Sequence, residues 1–176
     1  MGSIASVEMT IRPGRAEDLD PIVGIFRACW QEAYRDVLGE DVRDAMTVEK
    51  ANELWRPALS TKSDRKPLVA CLGDTPIGVT RIGSDPDSPS RGHIFSLYVD
   101  PKNAGRGVGK GLLSQALSTL KDLNFKEISL WVFKANPGAI GLYKRMGFEP
   151  TGRERIDDRW KSLEIEMLHS QFTGPL

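Results

Sequence analysis

The sequence predicts a single-domain α/β protein, a mixed β-sheet with helices on its faces, from three observations. Its 176 residues suit one domain that buries roughly two thirds of the surface of the unfolded chain. Its 40% hydrophobic and 27% charged residues have the balance of a soluble globular chain. Apolar residues repeat with a period of two in some stretches and near 3.6 in others, with turn residues between them. Strands and helices therefore alternate, and helices cover the sheet.

Glu8 to Arg12 alternates as a strand and stops at Pro13-Gly14. From Glu17 to about Val37, Ile22, Val23, Phe26, Trp30, Ala33 and Val37 recur at three- and four-residue steps, which places one helical stripe against a core. A second helix runs from Thr47, its N-cap, to Leu59. Leu68 to Leu72 and Ile77 to Ile82 form a hairpin around a four-residue turn, Gly73-Asp74-Thr75-Pro76. Ser84 to Gly92 has nothing to bury and reads as a mobile loop. Then follow a strand from His93 to Val99, a helix from Gly107 to about Leu123, a strand from Glu127 to Phe133, and a helix from Pro137 to Met146 ending at Gly147. Phe148 to Gly152 and Leu163 to Leu168 complete the sheet as antiparallel strands around the charged segment Arg153 to Ser162. Residues 8–170 form the domain, with a disordered leader at 1–7 and a tail at 171–176.

With 24 basic and 24 acidic side chains, no global field steers the protein toward nucleic acid or an anionic membrane. No apolar run approaches the ~20 residues of a membrane span, and no signal peptide opens the chain, so the expected compartment is cytoplasmic. Cys29 and Cys71, each in an apolar stretch, fit buried reduced thiols. No Cys-x-x-Cys, His-Glu-x-x-His or Gly-x-Ser-x-Gly is present, so neither metal nor serine-hydrolase chemistry is expected.

The segment Tyr98-Val99-Asp100-Pro101-Lys102-Asn103-Ala104-Gly105-Arg106-Gly107-Val108-Gly109-Lys110 passes from strand to helix. At a helix start the backbone N–H groups are unpaired and the dipole favours an anion. Glycines at 105, 107 and 109 lack the Cβ atoms that would hold a pyrophosphate off those amides. A Walker A loop fails twice, with Ala104 at its first glycine and Gly111 at its hydroxyl. The Gly-x-Gly-x-x-Gly dinucleotide spacing also fails, since Gly105 and Gly107 lead to Lys110 and Gly107 and Gly109 to Leu112.

This segment, together with Leu130-Trp131-Val132 through Gly147-Phe148, resembles the Gcn5-related N-acetyltransferases over residues 93–152. The run Asn136-Pro137-Gly138-Ala139-Ile140-Gly141-Leu142-Tyr143-Lys144-Arg145-Met146-Gly147-Phe148 resembles the family's Asn…Ala…Leu-Tyr…Gly-Phe signature. The resemblance implies a mostly antiparallel sheet with a splayed parallel strand pair and acetyl-CoA as cosubstrate without a metal. It further implies that Leu97, Tyr98 and Val99 pair with the pantetheine arm and that the amides of Gly105, Arg106, Gly107, Val108, Gly109 and Lys110 hold the pyrophosphate. By the same resemblance Asn136 bonds the cofactor and Tyr143 is the general acid. An amine attacks the thioester, N–H near Val99 stabilises the oxyanion, and Tyr143, with a pKa near ~10, protonates a thiolate whose acid has one near ~8.5.

The chain departs from the family pattern at Ala104, where Arg or Gln is usual, and at Trp131, where some members carry a catalytic Glu. His93 aligns where other members place a Glu base and is the candidate base here. Trp30 belongs to the apolar stripe, while Glu32, Tyr34 and Trp55 are candidates for the acceptor site. Trp160 either covers that cleft or packs on a second subunit of a homodimer. The acceptor is a small-molecule or peptide amine. The alternative from another functional class is a CoA-sensing or partner-binding module without turnover.

Overall fold

The computed structural model describes residues 8–60 and 67–170; the expected leader and tail lie outside the described residues. Seven strands, β1 (Met9–Pro13), β2 (Leu68–Leu72), β3 (Thr75–Ser84), β4 (Gly92–Val99), β5 (Glu127–Phe133), β6 (Glu149–Asp157) and β7 (Ser162–Ser170), form one sheet in the order β1-β2-β3-β4-β5-β7-β6. Every neighbouring pair is antiparallel except β4 and β5. Those two are parallel because the helix between them, α4 (Val108–Asp122), carries the chain back across one face.

The apolar periodicities divide the core in two. On one face α4 and α5 (Pro137–Arg145) pack Leu112, Leu113, Ala116, Leu120 and Tyr143 against Ile94, Ile128, Leu130 and Met167. On the other, α1 (Leu19–Ala28) and α3 (Val48–Leu59) bury Ile22, Phe26, Ala51 and Trp55 on Val69, Cys71 and Val79. Thr47 caps α3 as its position predicts, its hydroxyl accepting the Lys50 N–H at 3.3 Å. Cys29 and Cys71 are buried free thiols.

Several expectations are corrected. The β2–β3 turn is two residues, Gly73-Asp74, because Leu72 already pairs with Thr75; Pro76, which has no N–H to donate, sits beside a shift in register. The first helix does not run unbroken to Val37: α1 ends at Ala28 and continues as one wider turn over Cys29–Ala33, with the Tyr34 N–H reaching back five residues to the Cys29 carbonyl at 3.1 Å. A short helix, α2 (Glu40–Asp44), follows, which its lack of an apolar stripe hides from a periodicity search. The loop after Ser84 does have something to bury: Asp85 is 3% exposed and takes hydrogen bonds from the Ser129 hydroxyl and the Asp87 N–H. Much of the charged segment is strand, since β6 continues to Asp157 with Arg155 paired opposite Glu164.

Candidate active site

Where β4 and β5 separate, a cleft of about 860 Å³ opens. Their parallel pairing covers Gly92 to Ile94 against Ile128 to Leu130 and then stops. The cause lies in β4. Arg81 pairs with Ser96 but the next residue, Ile82, pairs with Ile94, so Phe95 is an extra, unpaired residue. Such a bulge bends a strand and raises its twist. Beyond it the edge of β4 that faces β5 carries no strand, and β5 pairs only with β7.

Alternation of the antiparallel ladder decides which backbone groups that edge offers. The Asp100 N–H bonds the Ile77 carbonyl at 2.8 Å, so the groups of Val99 and Leu97 turn away from β3 and into the cleft. One of them is already used. The Cys29 thiol donates to the Val99 carbonyl at 3.0 Å, and its burial pushes that thiol up to about 12. The Val99 N–H and the Leu97 N–H and carbonyl have no strand partner on that edge.

The glycine turn closes one end of the cleft. Gly107, the N-cap of α4, has φ +80° and Gly105 +74°, the left-handed region where a Cβ is strained. No side chain caps this fifteen-residue helix, and its first residues, Val108 to Lys110, line the cleft. Gly109 acts differently: a Cβ there would lie 3.3 Å from Leu142 Cδ2 and 3.7 Å from Val99 Cγ2, so its absence lets α4 approach β4 and α5. Asn136 is the N-cap of α5, its Oδ1 accepting the Ala139 N–H at 3.1 Å, with Pro137 at the first helical position. Tyr143, two turns on, is 8% exposed and packs edge-on to Phe148, with centroids 5.8 Å apart. Burial pushes its hydroxyl up to about 12, and among the described residues that hydroxyl has no hydrogen-bond partner.

Leu97, Tyr98, Val99, Gly105, Gly107, Val108, Gly109, Lys110, Asn136 and Tyr143 all line this one cleft. Arg106 does not; its guanidinium points to the Asn103 side chain at 3.3 Å. His93 does not either. It is 5% exposed, and its Nδ1 lies 2.7 Å from the Ser129 hydroxyl. That hydroxyl donates to Asp85, so Nδ1–H is the donor to Ser129. Burial lowers His93 to about 4, outweighing the pull of Asp85. The position that resembles a base thus holds a structural histidine, sealed under the loop that Asp85 anchors.

The wide turn after α1 brings Glu32, Ala33 and Tyr34 to the cleft, while Trp55 is 3% exposed in the core. Trp160 lines the cleft with its ring edge-on to Trp30 at 4.9 Å. Trp131 lies beneath the Arg155 guanidinium, 4.3 Å from the ring centre. Three lining residues, Cys29, Phe133 and Glu164, carry no sequence signal as site residues, since each sits in an ordinary strand or helix pattern. Among the described residues no group of acidic, His or Cys side chains could hold a metal ion, and no helix is long and apolar enough to cross a membrane.

Comparison with known proteins defines the class. The model of the Acetyltransferase (GNAT) family matches residues 20–148, and the chain belongs to this family of N-acetyltransferases. It is 34% identical to the peptidyl-lysine N-acetyltransferase YjaB of Escherichia coli, over 94% of this chain and 98% of that protein. It is likewise 34% identical to YjaB of Salmonella typhimurium, over 87% of this chain and 92% of the relative. The fold is similar to the PaiA N-acetyltransferase of Thermoplasma acidophilum, solved in complex with coenzyme A, with TM-score 0.78 and 22% identity over 93% of this chain and 99% of that one.

Proposed function

We propose that the cleft binds acetyl-CoA and transfers its acetyl group to a primary amine by direct attack, with Tyr143 protonating the leaving thiolate. The observation that carries this reading is the meeting, in one cleft, of a free strand edge at Leu97 and Val99, an uncapped helix N-terminus at Gly107 to Lys110, and the unpartnered Tyr143 hydroxyl. An extended amide-bearing arm pairs with a strand edge, and a pyrophosphate suits open helix N–H groups. A volume of about 860 Å³ is at the upper end of small-ligand clefts.

In this reading the Leu97 groups hold the pantetheine arm and the Val99 N–H faces the thioester oxygen as it becomes an oxyanion. Cys29 keeps the Val99 carbonyl from repelling that charge by occupying it with a thiol hydrogen. Asn136 orients the start of α5, and α5 in turn sets the position of Tyr143. The YjaB relatives, named for peptidyl-lysine, support an amine acceptor. Melting curves with CoA, NAD and ATP test cofactor choice. CoA at a hundredfold excess over its Kd stabilises by about 2.7 kcal/mol; a shift with NAD or ATP and none with CoA refutes the reading. Thiol release from acetyl-CoA across a panel of amines tests turnover. CoA binding without release from any amine would indicate a sensing module.

A further inference from the structure

With His93 away from the cleft, the structure points to another group for the acceptor's proton. We propose that Glu164 binds the acceptor ammonium and accepts its proton, a role that rests on the acetyl-transfer reading above.

Among the described residues four acidic side chains are buried: Asp18, Asp85, Glu164 and Glu166. A buried carboxylate normally has both oxygens satisfied, and in three of them this holds. Asp18 takes two bonds from Arg12 and one from the Arg15 N–H. Asp85 takes the Asp87 N–H on Oδ1, and the Ser129 hydroxyl and the Arg91 guanidinium, 2.9 Å away, on Oδ2. Glu166 is bonded by Arg91 and Arg153 on Oε1 and by Thr151 on Oε2. Glu164 differs. Arg155 Nε donates to its Oε2 at 2.7 Å, while Oε1 receives no hydrogen bond from any described residue. Glu164 lines the cleft, 7% exposed, together with Tyr143. An oxygen with no protein donor, on a largely buried carboxylate that lines a cleft, is open to a donor from a ligand.

The neighbours fit an alkylammonium. Phe133 pairs opposite Glu164 across the β5–β7 ladder, and the Tyr34 ring stands 5.4 Å from Phe133. Aromatic walls suit an aliphatic stem and attract its cationic head. Arg155 is held in turn by stacking on Trp131, so the carboxylate has a fixed orientation. Arg159 and Tyr34 lie within electrostatic range of Glu164, and Glu32 lines the same cleft from the exposed side.

The protons balance. Glu164 Oε1 takes one proton from the ammonium and later releases it to solvent. The neutral amine forms the N–C bond, the C–S bond breaks, and Tyr143 protonates the thiolate. The second proton leaving the nitrogen restores Tyr143. The sum is ammonium plus thioester giving amide, thiol and one proton.

The test compares wild type with Glu164→Gln, whose carbonyl still accepts from Arg155, on two acceptors at neutral pH: propylamine, which is protonated there, and acetohydrazide, which is neutral. We expect kcat/KM for propylamine to fall roughly a hundredfold or more, and that for acetohydrazide to change by less than about threefold, because a neutral nucleophile needs no base for its first proton. Calorimetric CoA affinity and the melting temperature report an intact fold. Equal losses on both acceptors, or no loss on propylamine, overturn the role of Glu164 while leaving acetyl transfer standing. A wild type that neither binds CoA nor releases thiol overturns the acetyl-transfer reading itself.

Discussion

Replacing Tyr143 by Phe removes one oxygen from a side chain that lines the cleft and little else. The hydroxyl has no partner among the described residues, and the ring's edge-on packing against Phe148 at 5.8 Å survives in Phe. No hydrogen bond is lost, so folding stability should stay within about 1 kcal/mol of wild type, or rise slightly as a buried unpaired hydroxyl is removed. In a chain of this size that is a shift of at most ~2–4 °C in Tm. The catalytic loss is larger. General acids contribute about a hundredfold or more, and a hundredfold is roughly 2.7 kcal/mol of barrier.

Burial also modifies the expectation of a tyrosine near its ordinary value. With the free hydroxyl at about 12 and a solvated thiol near ~8.5, proton donation is uphill by roughly 5 kcal/mol. In the proposed reaction the departing thiolate would be desolvated in the same cleft, which raises its proton affinity too and makes the step accessible. A group at about 12 stays protonated below that pH, so Tyr143 adds no alkaline fall in turnover in ordinary assay buffers. Steady-state thiol release, calorimetric CoA titration and a melt on the same Tyr143→Phe preparation give the answer. A stable, CoA-binding enzyme slowed a hundredfold supports the acid role; a stable one with wild-type kcat refutes it.

Three further outcomes follow from the geometry. Gly109→Val should weaken CoA binding and lower the Tm together, because its branches enter the space between Leu142 and Val99; calorimetry showing unchanged affinity would separate that turn from the cofactor. Ala104→Arg adds a cation at the cleft wall and should tighten CoA modestly, with a steeper salt dependence in the titration. His93 is neutral when folded, at about 4 against 6.5 for the free group, so the unfolded chain binds the extra proton in that window and stability is lost as pH falls from 6.5 toward 4. The full difference is roughly 3 kcal/mol; His93→Gln should flatten that part of the denaturation profile and leave the pH dependence of turnover as in wild type.

Much of the scaffold was legible because it depends on local chemistry. The strands Leu68–Leu72 and Glu127–Phe133 coincide with the runs read from the sequence, and Thr47 caps its helix. A glycine turn opening an uncapped helix, and an Asn-Pro start with Tyr143 two turns on, are short-range patterns. Together with the family resemblance they pointed to ten residues that the fold brings to one cleft. What the sequence by itself determined was therefore the class of fold and many of the residues that come to line one cleft.

The opening of the cleft and the partners of its buried charges were decided by the tertiary structure. The opening itself depends on which residue of β4 is left unpaired against β3, and Phe95 bears no local mark of that. The fate of His93 depends on Asp85 and Ser129, which arrive from a loop and another strand. Glu164 and Glu166, two apart on β7, have the same residue type and the same alternation. One is saturated by three donors and the other has one oxygen without a donor among the described residues. Periodicity tells which face a side chain takes, but the hydrogen bonds that make a buried charge structural or available come from strands and loops distant in sequence, and only folding brings them together.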